Sequence, residues 1–266
     1  MASERKDEWA SGDAYEPYVG RWSRLVAREF LSWLGAPRDG EWLDVGCGTG
    51  ALSEVILQTT SPRRVTGVDP SEGFVAFARH KVTDHRARFQ VGDAQALPVA
   101  DASFDAAVAG LVINFVPDQG KAVAEMTRAT RSGGIVAGYV WDYAGEMQMM
   151  RRFWDAAVSL EQAAIPLDEG RRFPICQPEP LAALFRSAGL DQVQIRPIDV
   201  PTIFKNFDDY WSPFLGGQAP APGYCTSLPE DRRIALRECI RGNLPVRNDG
   251  TIHLMARAWS VRGTRP

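Results

Sequence analysis

One glycine-rich turn constrains the fold of this chain more than any other stretch. The mostly apolar residues 42–45 are followed by Gly46-Cys-Gly-Thr-Gly50 and then by a helix-forming segment that starts at Ala51. Glycines lack Cβ, so such a turn can be tight and a ligand can approach its backbone. The helix start offers unpaired N–H groups and a partial positive charge. The stretch therefore predicts a strand, a turn and a helix that form a nucleotide-type site.

Two classes of cofactor use this arrangement, and the turn alone is compatible with both. Gly46, Gly48 and Ala51 satisfy the loose dinucleotide fingerprint, in which the helix N-terminus binds a pyrophosphate. Asp44 precedes the first glycine by two residues, and its carboxylate would repel a pyrophosphate. It suits an ammonium group, which S-adenosylmethionine carries at its methionine end. Asp44 therefore favours S-adenosylmethionine, while a structural turn without a ligand is a third interpretation.

Acids follow the next two predicted strands. The strand at 64–69 ends in Asp69, which can accept hydrogen bonds from both ribose hydroxyls of an adenosyl group. This feature is common to the dinucleotide and the methyl-donor interpretations. The strand at 87–91 leads to Asp93 and Ala94, which can meet the adenine amine and a ring nitrogen. The second acid favours an adenosyl site of the methyl-donor kind.

Strands and helices alternate up to residue 141, which predicts an α/β fold with a doubly wound parallel sheet. Further strands are expected at 104–110 and 135–141. In such sheets the ligand binds beyond the carboxyl ends of the strands. Leu111 and Asn114 follow the fourth strand and are expected at the mouth of the site.

Several motifs occur in a fixed order, each at a predicted strand end or in the turn beside one. They are Leu43-Asp-Val-Gly-Cys-Gly-Thr-Gly50, Gly67-Val-Asp-Pro-Ser71, Val91-Gly-Asp-Ala94 with Leu97-Pro98, Ser103-Phe-Asp105, Val116-Pro-Asp118 and Arg131-Ser-Gly-Gly134. In these motifs the chain resembles the class I S-adenosylmethionine-dependent methyltransferases, in particular the type 11 branch that includes quinone-biosynthesis methyltransferases. The resemblance implies a mostly parallel seven-stranded sheet whose last strand is antiparallel.

The resemblance also implies roles for individual residues. The turn at 46–50 would hold the methionine part, Asp69 the ribose, and Asp93 with Ala94 the adenine, while the backbone near Leu111 would line the methionine side. The predicted cofactor site comprises Tyr18, Arg21, Trp22, Asp44, Gly46, Gly48, Asp69, Pro70, Ser71, Phe74, Asp93, Ala94, Leu111 and Asn114. For Phe74, packing of its helix on the sheet is the alternative.

One departure from the family concerns the catalytic base. Many relatives carry a histidine pair before the Val-Pro-Asp motif, whereas this chain has Asn114 and Phe115. The three histidines of the chain lie elsewhere, so no histidine base is evident. The remaining candidates for a catalytic role are Asn114, Asp142 and Tyr143.

The chain is predicted to be a single domain over residues 1–266, with the cofactor-binding core at 40–141. Residues 14–34 are expected to form an N-terminal helix, either a flap over the cofactor or a helix that packs on the core. Residues 142–176 and 202–245 are expected to form a lid over the substrate, with a Pro/Gly-rich loop at 216–223. Predicted substrate contacts are Phe115, Trp141, Tyr143, Trp211 and Phe214.

Composition limits the class of partner. The net charge of −3 argues against a nucleic-acid substrate. Four scattered cysteines without a C-x-x-C pair suggest no metal site and a reducing, cytoplasmic setting. No apolar run is long enough for a membrane span. The sequence therefore predicts a methyltransferase for a small apolar or aromatic acceptor. The alternatives are a non-catalytic S-adenosylmethionine-binding protein and a nicotinamide-dependent oxidoreductase.

Overall fold

Within the described part of the computed structural model, which comprises Tyr18 and residues 20–35, 38–217 and 219–266, seven strands form one mixed sheet. The strands are β1 (Glu41–Val45), β2 (Arg64–Asp69), β3 (Ala87–Val91), β4 (Phe104–Gly110), β5 (Thr130–Trp141), β6 (Asp191–Phe204) and β7 (Ile252–Thr264). Their order in the sheet is β3-β2-β1-β4-β5-β7-β6.

The helices of the described residues lie between and beside these strands. They are α1 (Arg21–Leu34), α2 (Ala51–Thr59), α3 (Glu72–Lys81), α4 (Gln119–Ala129), α5 (Gln148–Leu160), α6 (Glu169–Arg172), α7 (Pro178–Ser187), α8 (Phe207–Trp211), α9 (Pro220–Ser227) and α10 (Glu230–Asn243). Short 3-10 turns occur at Ile113–Phe115, Gln162–Leu167 and Ser212–Leu215. None of the described helices is both long and apolar enough to cross a membrane.

One strand, β7, which is the last in the sequence, runs opposite to the other six. Strands β1 to β5 pair in parallel, whereas β7 runs antiparallel between β5 and β6. The predicted seven-stranded sheet with an antiparallel last strand is therefore confirmed. Because β1 to β5 are parallel, their carboxyl ends meet at one edge, and the acids and glycines that follow them are brought together.

The central strands are buried on both faces, as expected for a parallel sheet covered by helices. Trp42 and Leu43 of β1 and residues 106–109 of β4 are fully buried. Side chains cap the helices that follow the strands: Ser71 accepts from the N–H of Phe74 at 3.3 Å, and Asp118 accepts from the N–H of Lys121 at 3.0 Å. These caps fix the points at which the chain leaves the sheet edge.

The predicted N-terminal helix is only partly within the described residues. Residues 14–17 and 19 lie outside them, and α1 covers the remainder from Arg21 onward. The helix buries Trp22, Val26, Phe30 and Leu34 on one face.

The two segments predicted as a lid are mainly helical. Residues 142–176 contain α5 and α6, and residues 202–245 contain the end of β6 and the helices α8 to α10. The expected loop at 216–223 is wrong in its second half, because α9 begins at Pro220. Proline is favourable in a first helical turn, since the N–H that it lacks would have no partner there.

Aromatic side chains join these segments to Tyr18. We call Tyr18, Phe153, Tyr210, Trp211 and Phe214 the aromatic cluster. Phe214 is its centre: its ring stacks on Phe153 with centroids 4.5 Å apart and lies 5.7 Å from the ring of Tyr18. Tyr210 and Trp211 lie 5.5 and 6.1 Å from the same ring. The cluster therefore packs the insertions against each other and against the start of α1.

Candidate functional site

A cavity of about 360 Å³ opens at the carboxyl ends of the central strands. Predicted site residues that line it are Asp44, Gly46, Gly48, Asp69, Pro70, Ser71, Phe74, Asp93, Ala94, Leu111 and Phe115. The structure thus brings the turn after β1 together with the acids after β2 and β3 and with the segment after β4.

The glycine turn has a backbone that other residues adopt only with strain. Gly46, Gly48 and Gly50 have φ values of +69°, +51° and +82°. A Cβ at Gly46 would lie 2.4 Å from a methyl carbon of Val112, so this position is closed by packing. A Cβ at Gly48 would meet no atom within 4 Å and would project into open space instead. The turn is therefore shaped on one side by the protein and open on the side of the cavity.

Asp69 ties the turn to the second strand. Its carboxylate accepts from the N–H of Gly48 and from the N–H of Ser71, each at 2.9 Å. Burial raises the pKa of this carboxyl, while the two N–H groups oppose the rise. A carboxylate offers about four acceptor sites, so both oxygens of Asp69 keep capacity for the hydroxyls of a ribose.

Asp44 is a buried acid at the end of β1 and at the wall of the cavity. It is 1% exposed and accepts from the hydroxyl of Ser53 at 2.6 Å. Burial raises its pKa to about 7, against the hydrogen bonds to Ser53, and the nearby Asp69 adds to the rise. A cationic ligand group would favour the ionised form, which is the chemistry of an ammonium site.

The opposite end of the cavity is formed after β3. Asp93 is exposed, and its carboxylate accepts from the N–H of Gln95 at 2.8 Å. Ala94 beside it is buried, and Phe74 of α3 is 8% exposed in the same wall. An exposed acceptor beside a buried, apolar wall suits the edge and the face of a purine.

Several residues in the cavity wall were not predicted. They are Ser23, Leu52, Gly110 and Tyr139, whereas Cys47 and Thr49 belong to the predicted turn at 46–50, Ala51 begins the predicted helix, and Val112, Val116 and Pro117 belong to the segment after β4 that was expected at the mouth. Tyr139 lies near the carboxyl end of β5, and a Cβ at Gly110 would lie 2.7 Å from its hydroxyl oxygen. The small residue at 110 was the available signal, because it makes room for a large side chain from the neighbouring strand.

Leu111 has an uncommon backbone at the mouth of the site. Its φ is +61°, and its N–H donates to the carbonyl of Tyr139 at 2.8 Å. Such strain persists where the surrounding structure enforces it, and it clusters at functional sites. The strained residue turns the chain from β4 into the short helix that carries Asn114 and Phe115.

The predicted N-terminal cofactor contacts are not brought to the cavity. Tyr18 belongs to the aromatic cluster. A guanidinium nitrogen of Arg21 lies 3.0 Å from a carboxylate oxygen of Asp209, and the group stacks 4.4 Å over the ring of Trp22. These side chains pack α1 against the insertion that carries α8. Ser23 is the α1 residue that lines the cavity.

Of the predicted substrate contacts, the structure brings one to the cavity and places the others elsewhere. Phe115 lines the cavity, whereas Trp141 is buried in β5. Tyr143 packs on Phe173 with ring centroids 5.9 Å apart and is not among the lining residues. Trp211 and Phe214 belong to the aromatic cluster, so the structure does not bring them to the cavity.

The catalytic candidates have different surroundings. The Asp142 carboxylate accepts from the N–H groups of Gly145 and Glu146 at 3.1 and 3.0 Å, which closes a turn after β5. Asn114 is 4% exposed, and neither atom of its amide has a hydrogen-bond partner among the described residues. Asn114 does not line the cavity, although its neighbour Phe115 does. No group of three potential metal ligands occurs among the described residues.

Comparison with known proteins identifies the family. Residues 43–138 match the family model described as a methyltransferase domain. The demethylmenaquinone methyltransferase of Roseiflexus castenholzii is 33% identical over 174 residues, which are 60% of this chain and 71% of that protein. The chain belongs to the class I S-adenosylmethionine-dependent methyltransferases of type 11. The predicted family and cofactor are therefore confirmed, and the nicotinamide alternative is not supported.

Two further similarities extend this result. The malonyl-[acyl-carrier protein] O-methyltransferase of Serratia marcescens is 33% identical over 159 residues, and the match spans 60% of its length. A solved structure of phosphoethanolamine N-methyltransferase 2 from Haemonchus contortus, in complex with S-adenosyl-L-methionine, superposes with a TM-score of 0.60 at 17% identity. That match covers 96% of this methyltransferase and 56% of the other chain, and it shows the shared fold.

Proposed function

We propose that this methyltransferase transfers a methyl group to a small, apolar, aromatic acceptor that carries a hydroxyl group, such as a naphthol or a hydroquinone. The observation that carries the proposal is the division of the cavity. We call the part of its wall with the glycine turn, Asp44 and Asp69 the inner part, and the apolar part with Leu111, Val112, Phe115, Val116 and Pro117 the mouth. The relative from Roseiflexus castenholzii is named for demethylmenaquinone, which is a naphthoquinone.

The inner part fits the cofactor in chemistry as well as in shape. Asp44 is a buried acid that would be matched by the ammonium group of the methionine part. Asp69 would accept from the ribose hydroxyls, and the open face of Gly48 leaves room for the ligand. Asp93, Ala94 and Phe74 would surround the adenine. These roles remain predictions for the individual residues.

The protein's contribution to the reaction is alignment and exclusion of water. When bound, S-adenosylmethionine supplies a methyl group that is activated by a positively charged sulfur. Methyl transfer is an in-line displacement, and holding the two reactants in line is worth as much as ~7–11 kcal/mol in favourable cases. The apolar mouth around Phe115 would hold a flat ring and keep water away.

An acceptor panel tests this proposal. The protein is incubated with S-adenosylmethionine and with 1-naphthol, 1,4-dihydroxynaphthalene under argon, or phosphoethanolamine as a polar control, and methylated products are measured by mass spectrometry. We expect products with the aromatic hydroxyl compounds and none with phosphoethanolamine. Methylation of the polar control, with none of the aromatic compounds, would contradict the proposed acceptor class.

A matched pair of variants locates the acceptor. Phe115→Ala removes a ring from the cavity wall and should raise the KM for the aromatic acceptor by tenfold or more. Phe77→Ala removes a ring of α3 that does not line the cavity and should leave the KM unchanged. The affinity for S-adenosylhomocysteine, measured by calorimetry, should stay within about threefold in both.

A further inference from the structure

The methionine end of S-adenosylmethionine carries a carboxylate as well as an ammonium group, and Asp44 suits only the ammonium group. Three acids, Asp44, Asp69 and Asp93, line the cavity, whereas no lysine, arginine or histidine among the described residues does so. Arg21, which was predicted for this end, is paired with Asp209. A carboxylate that loses water on binding needs hydrogen-bond donors in return. Among the described residues, the side-chain donors available in the wall are neutral groups.

Hydroxyl groups are the strongest neutral side-chain donors in this wall, and they belong to Ser23, Thr49, Ser71 and Tyr139. The hydroxyl of Ser23 donates to the carbonyl of Gly20 at 2.8 Å, which uses its proton. Ser71 follows β2, on the side predicted for the ribose, and Thr49 lies within the glycine turn itself. Of the four, Tyr139 alone reaches the cavity from β5, on the far side of β4 from the glycine turn.

The pairing of the strands places Tyr139 on the same face of the sheet as Asp44. Asp44 of β1 lies opposite Val108 of β4, and Tyr139 of β5 lies opposite Gly110 of the same strand. Residues two positions apart in a strand point to the same face, and directly opposite residues of neighbouring strands share that face. The phenol hydroxyl and the predicted partner of the ammonium group therefore lie on one side of the sheet.

Gly110 makes room for the phenol of Tyr139 to cross β4. A Cβ at Gly110 would lie 2.7 Å from the hydroxyl oxygen of Tyr139 and 3.1 Å from a methyl carbon of Leu52. Leu52 belongs to the first turn of α2, and its neighbour Ser53 donates to Asp44 at 2.6 Å. The hydroxyl of Tyr139 and the carboxylate of Asp44 therefore converge on the first turn of α2, and both residues are part of the cavity wall.

Packing holds the ring of Tyr139 in this position. The ring of Phe30 in α1, which is fully buried, lies 4.8 Å from it. The carbonyl of Tyr139 accepts from the N–H of Leu111 at 2.8 Å, and Leu111 is predicted to line the methionine side. Because the side chain is already fixed, it loses little conformational entropy when a ligand binds.

We infer that the hydroxyl of Tyr139 donates a hydrogen bond to the carboxylate of the cofactor's methionine end, while Asp44 holds the ammonium group on the same carbon atom. The inference rests on the cofactor site of the proposed function and not on the acceptor class. A hydrogen bond from a hydroxyl to a carboxylate is short and strong. Tyr139 and Asp44 together then select adenosyl ligands that carry a complete amino acid. Tyr139 touches no reacting atom, so its role is in binding.

Binding of three ligands to the full chain tests this inference without turnover. They are S-adenosylhomocysteine, its aminopropyl analogue, which lacks the carboxylate, and its carboxypropyl analogue, which lacks the ammonium group. In calorimetry, Tyr139→Phe should bind S-adenosylhomocysteine about tenfold more weakly than the unmodified protein does, because it loses a hydrogen bond to a charged group. Its affinity for the aminopropyl analogue should stay within about threefold, because that ligand has no carboxylate to lose.

The complementary variant is Asp44→Asn. It should weaken binding of S-adenosylhomocysteine and of the aminopropyl analogue, which both carry the ammonium group, but should not weaken binding of the carboxypropyl analogue. Tyr139→Phe, in contrast, should weaken the carboxypropyl analogue as much as S-adenosylhomocysteine. This crossed pattern distinguishes two separate contacts from a general loss of the site.

The control is Tyr210→Phe. It removes a buried hydroxyl that donates to the carbonyl of Met149 at 2.8 Å, outside the cavity wall, and should leave all three affinities unchanged. A thermal melt without ligand shows that each variant is folded, and Tyr139→Phe keeps the ring that packs on Phe30.

Two results would overturn the inference. The first, which needs no variant, is equal affinity of the unmodified protein for S-adenosylhomocysteine and for the aminopropyl analogue. The second is a Tyr139→Phe protein that binds S-adenosylhomocysteine as tightly as before, or that loses affinity for the aminopropyl analogue to the same extent. If the acceptor panel fails while the crossed pattern is observed, the proposed acceptor class is wrong and the role of Tyr139 is supported.

Discussion

Substitution of Asp44 by Asn should stabilise the ligand-free protein while weakening its binding of the cofactor. The carboxyl is buried beside Asp69, and burial raises its pKa from 3.8 to about 7. Asn is nearly the same size, and its carbonyl oxygen can still accept the hydroxyl hydrogen bond that Ser53 donates. The substitution therefore removes the buried charge and leaves the packing and this hydrogen bond in place.

The pKa shift gives both the size and the pH range of the effect. Because the folded pKa lies above the unfolded value, the unfolded chain releases the Asp44 proton first as the pH rises. Stability is therefore lost between about pH 4 and pH 7 and is constant above that range. At about 1.4 kcal/mol for each pH unit, the largest possible penalty is about 4 kcal/mol. Asn at position 44 should recover between about 1 and 4 kcal/mol at pH 8 and almost nothing at pH 4.

Urea denaturation of both proteins, at pH 4.5 and at pH 8, measures this difference. S-adenosylhomocysteine titrated into the same samples at pH 8 should bind at least tenfold more weakly to Asp44→Asn, because its ammonium group loses a charged partner. Ser53→Ala is the control: it keeps the charge, removes a hydrogen bond to it and should destabilise the protein at pH 8. An Asp44→Asn protein that is less stable at pH 8, or equally shifted at both pH values, would refute the reasoning.

Two further predictions concern packing. Gly46→Ala should cost about 1–3 kcal/mol in urea denaturation, because its Cβ would lie 2.4 Å from Val112 at a φ of +69°. Gly48→Ala is the matched control and should cost only about 1 kcal/mol of stability, from its φ of +51°. It should abolish S-adenosylhomocysteine binding, because its Cβ would enter the open side of the turn. A Gly48→Ala protein less stable than Gly46→Ala would contradict this geometry. Phe214→Ala should destabilise the protein by about 3–5 kcal/mol, because its fully buried ring stacks on Phe153. Its affinity for S-adenosylhomocysteine, measured by calorimetry, should remain within threefold, and a selective loss of this affinity would place Phe214 at the cavity after all.

The parallel half of the fold could be predicted from sequence because local signals and tertiary structure agree there. Residues 64–69, 87–91 and 104–110 were expected to be strands, and the structure has strands with the same bounds. Glycine or an acid stands at the end of each strand or within the next two residues, and a parallel sheet then gathers these strand ends at one edge. Asp44, Asp69 and Asp93 could be assigned to one site for this reason.

The second half was less predictable because its features depend on packing between distant segments. The Pro/Gly content of residues 216–223 suggested a loop, although proline at a helix start is compatible with α9. Arg21 and Trp22 were expected at the cofactor, since nothing in their own sequence indicates the ion pair with Asp209 or the contact with Phe204.

The most direct test of the account is a pair of thermal melts, one with S-adenosylhomocysteine and one with NADPH, on the unmodified protein and on Asp69→Ala. A ligand at about 100 times its Kd stabilises the folded state by about 2.7 kcal/mol, which is a readily measured change in Tm. We expect S-adenosylhomocysteine alone to raise the Tm of the unmodified protein, and the increase to disappear in Asp69→Ala. A rise with NADPH alone, or an equal rise with S-adenosylhomocysteine in Asp69→Ala, would contradict the assignment of this cavity.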